Sequence, residues 1–289
     1  MSQTHPVASL GRTGIEVARL GFGTAMGGLI ERDQWRQLLH AVLDRGINFI
    51  DTANDYGTGW GRPAGEMIGQ YLEGRRHEYH IATKCGCAPG GHVWTRENLF
   101  RGLHESLERL RTDYIDVMLL HNPTVDECEG GELVRALEDM RQQGKVRWIG
   151  ASTNLPEVAT FLQWGVFDTL QLPYSALERD HEDWISRAAR KGIGTIIRGG
   201  VAQGAPEVGK GALERWQVYE RAALDAIRPG GESRTAFMLR YTLSHPDIHT
   251  IIVGTRSVEH LDENVRAARR GPLPADLRAE IDRRLEAVG

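Results

Sequence analysis

Apolar runs and amphipathic stretches alternate along most of the chain. Short runs such as "INFID", "YHIATK" and "YIDVMLL" are almost continuously apolar, whereas "RDQWRQLLHAVLDRG" places its apolar residues at helical spacing and stops at a glycine. Continuous apolar runs are typical of strands that are covered by helices on the sheet surface. The pattern therefore predicts repeated strand–helix units built on a parallel sheet.

The runs that precede a helix define the predicted fold class, α/β. In order they are "VARLGF", "INFID", "YHIATK", "YIDVMLL", "VRWIGA", "DTLQL", "IGTII" and "IHTIIV". Eight units over 289 residues predict a (β/α)8 TIM barrel that spans residues 1–289 as a single domain. Two apolar runs around Gly11 to Gly14 predict an N-terminal β-hairpin at the closed end of the barrel. Extra C-terminal helices are predicted from Ser233 to Leu243 and over "ADLRAEIDRRLEAV", after a less regular region at 205–232.

An open doubly wound sheet is the competing layout. It would normally carry a glycine fingerprint after its first strand. "GFGTAMGG" follows the first predicted strand and has the glycines, but it lacks the required spacing. The barrel is favoured, and the open sheet is kept as the alternative.

Charge and hydropathy narrow the function classes. Lysine plus arginine total 35 against 39 for aspartate plus glutamate, so the formal net charge is −4. No basic stripe is present to neutralise a phosphate backbone, and no nucleic-acid partner is expected. The chain has no apolar leader and no apolar run of roughly eighteen residues, so we expect a cytoplasmic protein without a membrane partner.

Three cysteines, Cys85, Cys87 and Cys128, are too few for a disulfide framework and predict reduced thiols. "KCGCA" places two of them close together. A zinc site would need a second pair of ligands, and the sequence shows no such pair. No metal is therefore expected.

Three of the apolar runs end in, or are followed by, single ionisable residues. Asp51 closes "INFID", Lys84 closes "YHIATK" and His121 follows "YIDVMLL", while Tyr56 lies in the loop after Asp51. In a barrel the carboxyl ends of neighbouring strands surround one mouth, so these side chains are expected to converge there. Taken singly, each residue has a structural explanation, such as a loop cap or a surface lysine. The combination favours a catalytic site.

The set suits the reduction of a carbonyl group. A tyrosine can donate the proton that the carbonyl oxygen needs, provided that its pKa is lowered from about 10. A lysine ammonium favours the phenolate, and a carboxylate keeps that lysine charged and positioned. A neutral histidine can orient the carbonyl oxygen through a hydrogen bond. Tyr56 is thus the predicted proton donor, with Lys84, Asp51 and His121 in supporting roles.

Six motifs together resemble the aldo-keto reductase superfamily over essentially the whole chain. They are "DTANDYGTG", "IATK", "LLHNP", "IGAS", "QLPYS" and "IIVGTRSVEHLDEN". The resemblance implies NADPH-dependent reduction of an aldehyde or ketone, reversible to alcohol oxidation. It also implies that Asp51, Tyr56, Lys84 and His121 are the catalytic tetrad.

The resemblance further implies a set of contacts to NADP(H). Ser152 and Gln171 match the residues that hold the nicotinamide carboxamide, and Tyr174 matches the aromatic residue that stacks on the ring. Either Thr153 or Asn154 makes an additional contact, because the usual asparagine stands one position late here. Thr24 and Asp51 complete this part of the implied site.

The adenosine end is implied by "GTRSVEHLDEN". A strand end that turns into a helix offers free N–H groups to an anion, and an arginine adds a forked cation. Arg198 either contacts the pyrophosphate or pairs with a surface acid, and the pyrophosphate is favoured. The residues implied around the 2′-phosphate and the adenine are Gly254, Thr255, Arg256, His260, Glu263 and Asn264.

Substrate choice is expected to depend on loops. Trp60, His92, Trp94 and the residues after Pro123 are candidate pocket walls, and the indoles suit a flat apolar face such as a sugar ring. A small or medium aldehyde or a sugar-like carbonyl compound is the expected substrate. Two alternatives stay open, a nicotinamide-binding regulatory subunit with slow turnover and a barrel lyase or isomerase. The oligomeric state and the favoured reaction direction stay open too.

Overall fold

A closed barrel of eight parallel strands forms the centre of the computed structural model, which describes residues 5–205 and 213–289 and only the backbone at positions 27 and 60. The strands in chain order are β1 (Val7–Ser9), β2 (Glu16–Ala18), β3 (Leu20–Gly23), β4 (Phe49–Asp51), β5 (His80–Cys85), β6 (Cys87–Ala88), β7 (Gly91–His92), β8 (Ile115–His121), β9 (Val146–Ser152), β10 (Thr169–Pro173), β11 (Gly194–Arg198) and β12 (Thr250–Val253). The barrel order β3-β4-β5-β8-β9-β10-β11-β12 closes from β12 back to β3. The predicted TIM barrel is confirmed, and the open doubly wound sheet is excluded.

Helices cover the outside of the barrel. Within the described residues they are α1 (Arg32–Asp44), α2 (Ala64–Tyr71), α3 (Arg96–Leu110), α4 (Val125–Gly130), α5 (Leu133–Gln142), α6 (Glu157–Trp164), α7 (Glu182–Arg190), α8 (Leu213–Arg221), α9 (Arg234–Leu243), α10 (Val258–Arg270) and α11 (Ala275–Glu286). Side chains such as Trp35, Leu39 and Phe161 fill the layer between helices and strands, with no exposed surface. None of the described helices combines the length and the apolar character that a membrane span requires.

Helix starts follow local capping chemistry. The Thr95 side chain accepts a hydrogen bond from the backbone N–H of Asn98, and the Ser233 side chain accepts one from that of Ala236. Such bonds satisfy N–H groups that have no partner within the helix. The predicted starts of α3 and α9 are confirmed.

The N-terminal hairpin closes the amino-terminal end of the barrel, as predicted. Strands β1 and β2 pair antiparallel, and Leu10 between them is completely buried in one cluster with Phe49 and Ile196 of the barrel interior. The sequence run "VARLGF" is not one strand, however. Val17 pairs with Ala8 in the hairpin, and the barrel strand begins only at Leu20. The prediction was wrong at this boundary because both segments are apolar and buried.

Candidate active site

Four polar side chains meet at the carboxyl-terminal mouth of the barrel. Asp51 is the last residue of β4, Lys84 lies one residue before the end of β5, and His121 is the last residue of β8. These three strands are neighbours, so their ends form one continuous part of the rim. Tyr56 follows in the loop after β4. The structure brings the predicted residues together, and their catalytic roles remain predictions.

A buried ion pair holds Lys84 in place. Its Nζ lies 2.6 Å from Asp51 Oδ1 and donates to the Thr52 carbonyl over 2.9 Å. Gln171 Nε2 donates to the other oxygen of Asp51 over 2.7 Å. Burial lowers the pKa of Lys84, but attraction to Asp51 and Tyr56 outweighs burial, so the net pKa lies above its usual value. Lys84 is a cation with a fixed position.

Tyr56 lies against this cation. Lys84 Nζ is 4.9 Å from the centroid of the Tyr56 ring. Burial raises the pKa of Tyr56, and the charge of Lys84 acts in the opposite direction but does not reverse the shift. The predicted lowering of the Tyr56 pKa is thus wrong for this structure, because burial penalises the phenolate more than Lys84 stabilises it. The phenol keeps its proton at neutral pH, as a proton donor must.

His121 is neutral at physiological pH. Burial lowers its pKa to about 3, with help from the positive charges of Lys84 and Arg198 and from His92. Its ring stands nearly perpendicular to that of Tyr56, with 6.0 Å between the ring centroids. The neutral imidazole that the sequence predicts is therefore present beside the phenol.

A cavity of about 870 Å3 opens beside the tetrad and continues along the barrel rim. Asp51 and Tyr56 line one end, and residues near the start of α10 line the other. The predicted cofactor residues that line it are Asp51, Gln171, Arg198, Gly254, Thr255, His260, Glu263 and Asn264. One continuous space thus connects the reactive groups with the predicted adenosine site.

The other predicted cofactor residues lie outside this lining. Ser152, Thr153 and Tyr174 are buried, and the Tyr174 hydroxyl donates to Glu182 over 2.9 Å. Thr24 is also buried, and its hydroxyl donates to the Asp51 carbonyl over 3.0 Å. Stacking of Tyr174 on a nicotinamide ring therefore requires a rearrangement of this region, since the ring has no exposed surface. These contacts remain predictions.

Arg256 and Asn154 are exposed. Arg256 lies in the turn before α10 and is not among the cavity-lining residues. Asn154 Oδ1 accepts a hydrogen bond from Arg198 Nη2 over 2.6 Å, and its amide nitrogen lies 3.5 Å from the side-chain oxygen of Asn122. Both candidates for the additional contact thus touch a cavity-lining residue: Asn154 accepts from Arg198, and the backbone N–H of Thr153 donates to the Gln171 carbonyl over 3.0 Å.

Arg198 is the best-placed group for a phosphate. It ends β11, and within the described residues its buried Nε has no hydrogen-bond partner. A buried guanidinium N–H without a partner is suited to bind an anionic oxygen. The residues present therefore fit the pyrophosphate of a dinucleotide, and Arg198 would hold it.

Part of the cavity wall was missed by sequence reasoning. The loop after β11, the segment before α9 and the first residue of α9 line the cavity through Gly199, Gly200, Gln203, Gly204, Asp225, Arg228, Ser233 and Arg234. Hydrogen bonds from Arg234 and Arg228 lower the pKa of Asp225 to about 2, so two arginines share one carboxylate. The glycine-rich run "RGGVAQG" is a sequence signal from which the loop after β11 could have been found. Arg228 lies in the region that the sequence marked only as irregular, and Arg234 lies at the start of the predicted helix from Ser233 to Leu243.

A closed barrel with an Asp–Lys–Tyr–His set at its carboxyl mouth and a long cavity beside it defines the class of nicotinamide-dependent barrel oxidoreductases. The chain belongs to the Aldo/keto reductase family, whose model matches residues 19–286. It is thus an oxidoreductase that uses a nicotinamide cofactor on small-molecule carbonyl substrates. Family membership favours this function over a lyase or isomerase.

Relatives and solved structures cover nearly the whole chain. An L-galactose dehydrogenase of Arabidopsis thaliana is 30% identical over 281 residues, which are 90% of this chain and 86% of that protein. A probable voltage-gated potassium channel subunit beta of Oryza sativa subsp. japonica is 27% identical over 320 residues, covering 97% and 95%. The holo form of the aldo-keto reductase AKR11C1 from Bacillus halodurans superposes with a TM-score of 0.85 at 29% identity, covering 97% of this chain and 96% of that chain.

Proposed function

We propose that this chain, as one barrel domain over residues 1–289, is a cytoplasmic NADPH-dependent reductase of aldehydes or ketones, with Tyr56 as the proton donor. The observation that carries the proposal is the tetrad at the end of the 870 Å3 cavity, with Lys84 Nζ 2.6 Å from Asp51 and 4.9 Å from the Tyr56 ring centroid. Three free cysteines, all buried, agree with a reducing compartment.

Each residue of the tetrad has one physical task. NADPH, when bound, would supply the hydride for the carbonyl carbon. Tyr56 transfers its phenolic proton to the carbonyl oxygen as negative charge develops there. Lys84 stabilises the phenolate that is left, and Asp51 keeps the ammonium in position. Neutral His121 donates a hydrogen bond that orients the carbonyl oxygen.

The cofactor would lie along the rim of the barrel. Gln171 would contact the nicotinamide end, where it already donates to Asp51. Arg198 would bind the pyrophosphate through its Nε. The turn before α10, with Gly254 and Thr255 in the cavity wall, would receive the adenosine phosphate at a helix N-terminus.

The segment from the β6–β7 hairpin to Trp94 would supply a flat wall for the substrate. The rings of His92 and Trp94 stack with 5.2 Å between centroids and 5° between planes, and His92 also contacts His121 edge-on. A stacked aromatic pair at the mouth suits a sugar-like or other flat carbonyl compound. The side chain of Trp60 lies outside the described part of the chain. Helix α4 begins at Val125, shortly after Pro123.

The conversion of Tyr56 to phenylalanine tests the assignment. Tyr56→Phe should lower kcat for NADPH-dependent aldehyde reduction by about 10²- to 10⁴-fold, because general acid catalysis is lost. The dissociation constant for NADPH, measured by fluorescence titration, should change little, since the phenol hydroxyl is not a proposed binding group. A full rate in Tyr56→Phe would remove Tyr56 as the proton donor.

A regulatory subunit is the second candidate, and the 27% identical relative named as a channel subunit supports it. Both candidates bind NADPH, so binding alone does not separate them. Steady-state turnover with a panel of aldehydes does, because a sensor oxidises its bound cofactor without sustained turnover. The 30% identical relative named as an L-galactose dehydrogenase favours the enzyme.

A further inference from the structure

A thiol and two imidazoles meet beside the tetrad. Cys87 in β6 and His92 in β7 face each other across a short antiparallel hairpin, and both lie next to His121. Cys87 Sγ is 3.1 Å from His121 Nδ1. One ligand atom from each of the three side chains lies within 4.8 Å of the other two.

These distances approach those of a zinc centre. Zinc bonds of about 2.3 Å to sulfur and about 2.0 to 2.1 Å to nitrogen, in a tetrahedron, place the ligand atoms about 3.3 to 3.6 Å apart. Small side-chain rotations would bring the three atoms to that spacing. His92 is exposed on a hairpin with Gly90 in its turn and Gly91 at the start of β7, both at positive φ, so the hairpin is the part of the site that can adjust.

The chemical types of the three ligands determine which metal ion would bind. A thiolate with two imidazoles is a soft to borderline donor set that zinc prefers and that magnesium and calcium avoid. Three protein ligands leave a fourth position for water. Lys84 and Arg198 are positive neighbours of His121 and oppose a cation, whereas the carboxylate of Asp55 lies beside Cys87 and favours one.

We propose that Cys87, His92 and His121 bind one Zn²⁺ ion and that zinc at this site inhibits the enzyme. Binding forms a zinc–sulfur bond and two zinc–nitrogen bonds, displaces water from the ion and releases the thiol proton to solvent. Zinc would tie the β6–β7 hairpin to the His121 ring and so narrow the space beside Tyr56 in which the carbonyl compound would bind. The inhibition rests on the proposed reductase function, whereas metal binding does not.

Metal binding is measured first, on the full untagged chain after removal of metal by a chelator. Equilibrium dialysis against zinc chloride should give one ion per chain. Cys87→Ser and His92→Ala should each weaken zinc binding at least about tenfold. Removing a residue that only hydrogen-bonds to a metal ligand already weakens metal binding by about 10- to 100-fold, and removing the ligand itself should cost no less. The matched control is Cys128→Ser, which removes a buried thiol outside the cluster and should bind like the wild type.

Cobalt(II) provides a structural readout that is independent of activity. It should produce a thiolate-to-metal charge-transfer band in the wild type and in Cys128→Ser, and no such band in Cys87→Ser. His92→Ala is the second variant, because it changes an exposed side chain and leaves the buried thiol in place. Equal zinc affinity in the wild type, Cys87→Ser and His92→Ala, or absence of the band from the wild type, would overturn the site.

Inhibition is measured as the decrease in the rate of NADPH consumption when zinc is added. The rate of each variant is divided by its own rate without metal. Zinc should inhibit the wild type and Cys128→Ser at the concentrations where it binds, and at least about tenfold higher concentrations should be needed for Cys87→Ser and His92→Ala. Equal sensitivity of all four proteins would refute inhibition through this site. If the metal-free chain shows no carbonyl reduction, the proposed function fails, while zinc bound through Cys87 and His92 would still support the site.

Discussion

At the scale of single residues, burial decides the protonation states in the barrel mouth. Lys84 stays charged because Asp51 lies 2.6 Å away, whereas Tyr56 and His121 are held neutral mainly by the loss of water. One fixed cation, one protonated phenol and one neutral imidazole thus stand side by side. This is the combination that proton donation to a carbonyl oxygen requires at neutral pH.

The neutral state of His121 should make the fold sensitive to acid. The folded-state pKa is about 3, below the ordinary value of 6.5, so between these values the unfolded chain binds a proton that the folded chain does not. Stability from this group is complete above about pH 6.5 and declines as the pH falls towards 3. His121→Asn should therefore reduce the loss of unfolding free energy between pH 7 and pH 4 by on the order of 2 kcal/mol.

Urea denaturation at the two pH values measures this difference. His77→Asn, which changes an exposed histidine, is the matched control and should keep the wild-type pH dependence. If His121→Asn loses as much stability in acid as the wild type, His121 is not held neutral by the fold.

At the scale of elements, the N-terminal hairpin and the carboxyl-terminal strand ends lie at opposite ends of the barrel and have different roles. The hairpin closes the end of the barrel opposite to the candidate active site, with Leu10 inside it. The βα loops build the mouth, and the short β6–β7 hairpin narrows it. Changes at the closed end should therefore affect stability and leave the chemistry of the folded enzyme intact.

Gly11 and Gly14, in the turn of the N-terminal hairpin, are a matched pair of sites for testing how this turn packs against the barrel. Both have positive φ, but a Cβ at Gly11 would lie 2.3 Å from the backbone nitrogen of Gly194, whereas a Cβ at Gly14 meets nothing within 4 Å. Gly14→Ala should cost about 1 kcal/mol of unfolding free energy through its backbone conformation alone. Gly11→Ala should cost on the order of 3 kcal/mol because the hairpin must also move away from the barrel.

Chemical denaturation with both variants measures the difference, and the kcat of the folded protein serves as the control. Equal costs for the two variants would show that the close contact with Gly194 does not hold the hairpin in place.

At the scale of the whole molecule, the long cavity is formed by segments far apart in sequence. It runs from the ends of β3 and β4, past the loop after β11, to the start of α10 and the segment before α9. Two sets of arginines therefore lie near the proposed adenosine end. Arg256 is the one predicted from sequence, and Arg228 and Arg234 were found in the cavity wall.

Cofactor preference tests the role of Arg256. Arg256→Ala should weaken NADPH binding at least about tenfold and leave NADH binding nearly unchanged, because only NADPH has the 2′-phosphate and a charged hydrogen bond contributes about 1.5 to 3 kcal/mol. Fluorescence titration with both cofactors gives the ratio of dissociation constants. Arg135→Ala, an exposed arginine on α5, is the control. A larger change of the ratio in Arg234→Ala than in Arg256→Ala would move the phosphate contact to the start of α9.

Elements with strong local signals were predictable from the sequence. The caps at Thr95 and Ser233 and the apolar runs of the barrel strands each depend on neighbouring residues only. Helix α4 was not predicted, although Thr124 and Glu127 form a capping box that the sequence displays. The division between β2 and β3 could not be predicted, because strand pairing rather than hydrophobicity separates them.

By itself the sequence determined the barrel, the family, and the strands whose ends carry Asp51, Lys84 and His121, because apolar periodicity and strand-end motifs are local properties. The tertiary structure alone decided which groups touch and how water is excluded from them. It raised the Tyr56 pKa against expectation, left Arg198 Nε without a hydrogen-bond partner among the residues that the structure describes, and brought Cys87 within 3.1 Å of His121 across 34 positions of sequence. Burial and distance between remote segments arise only when the chain closes on itself, so no local pattern encodes them.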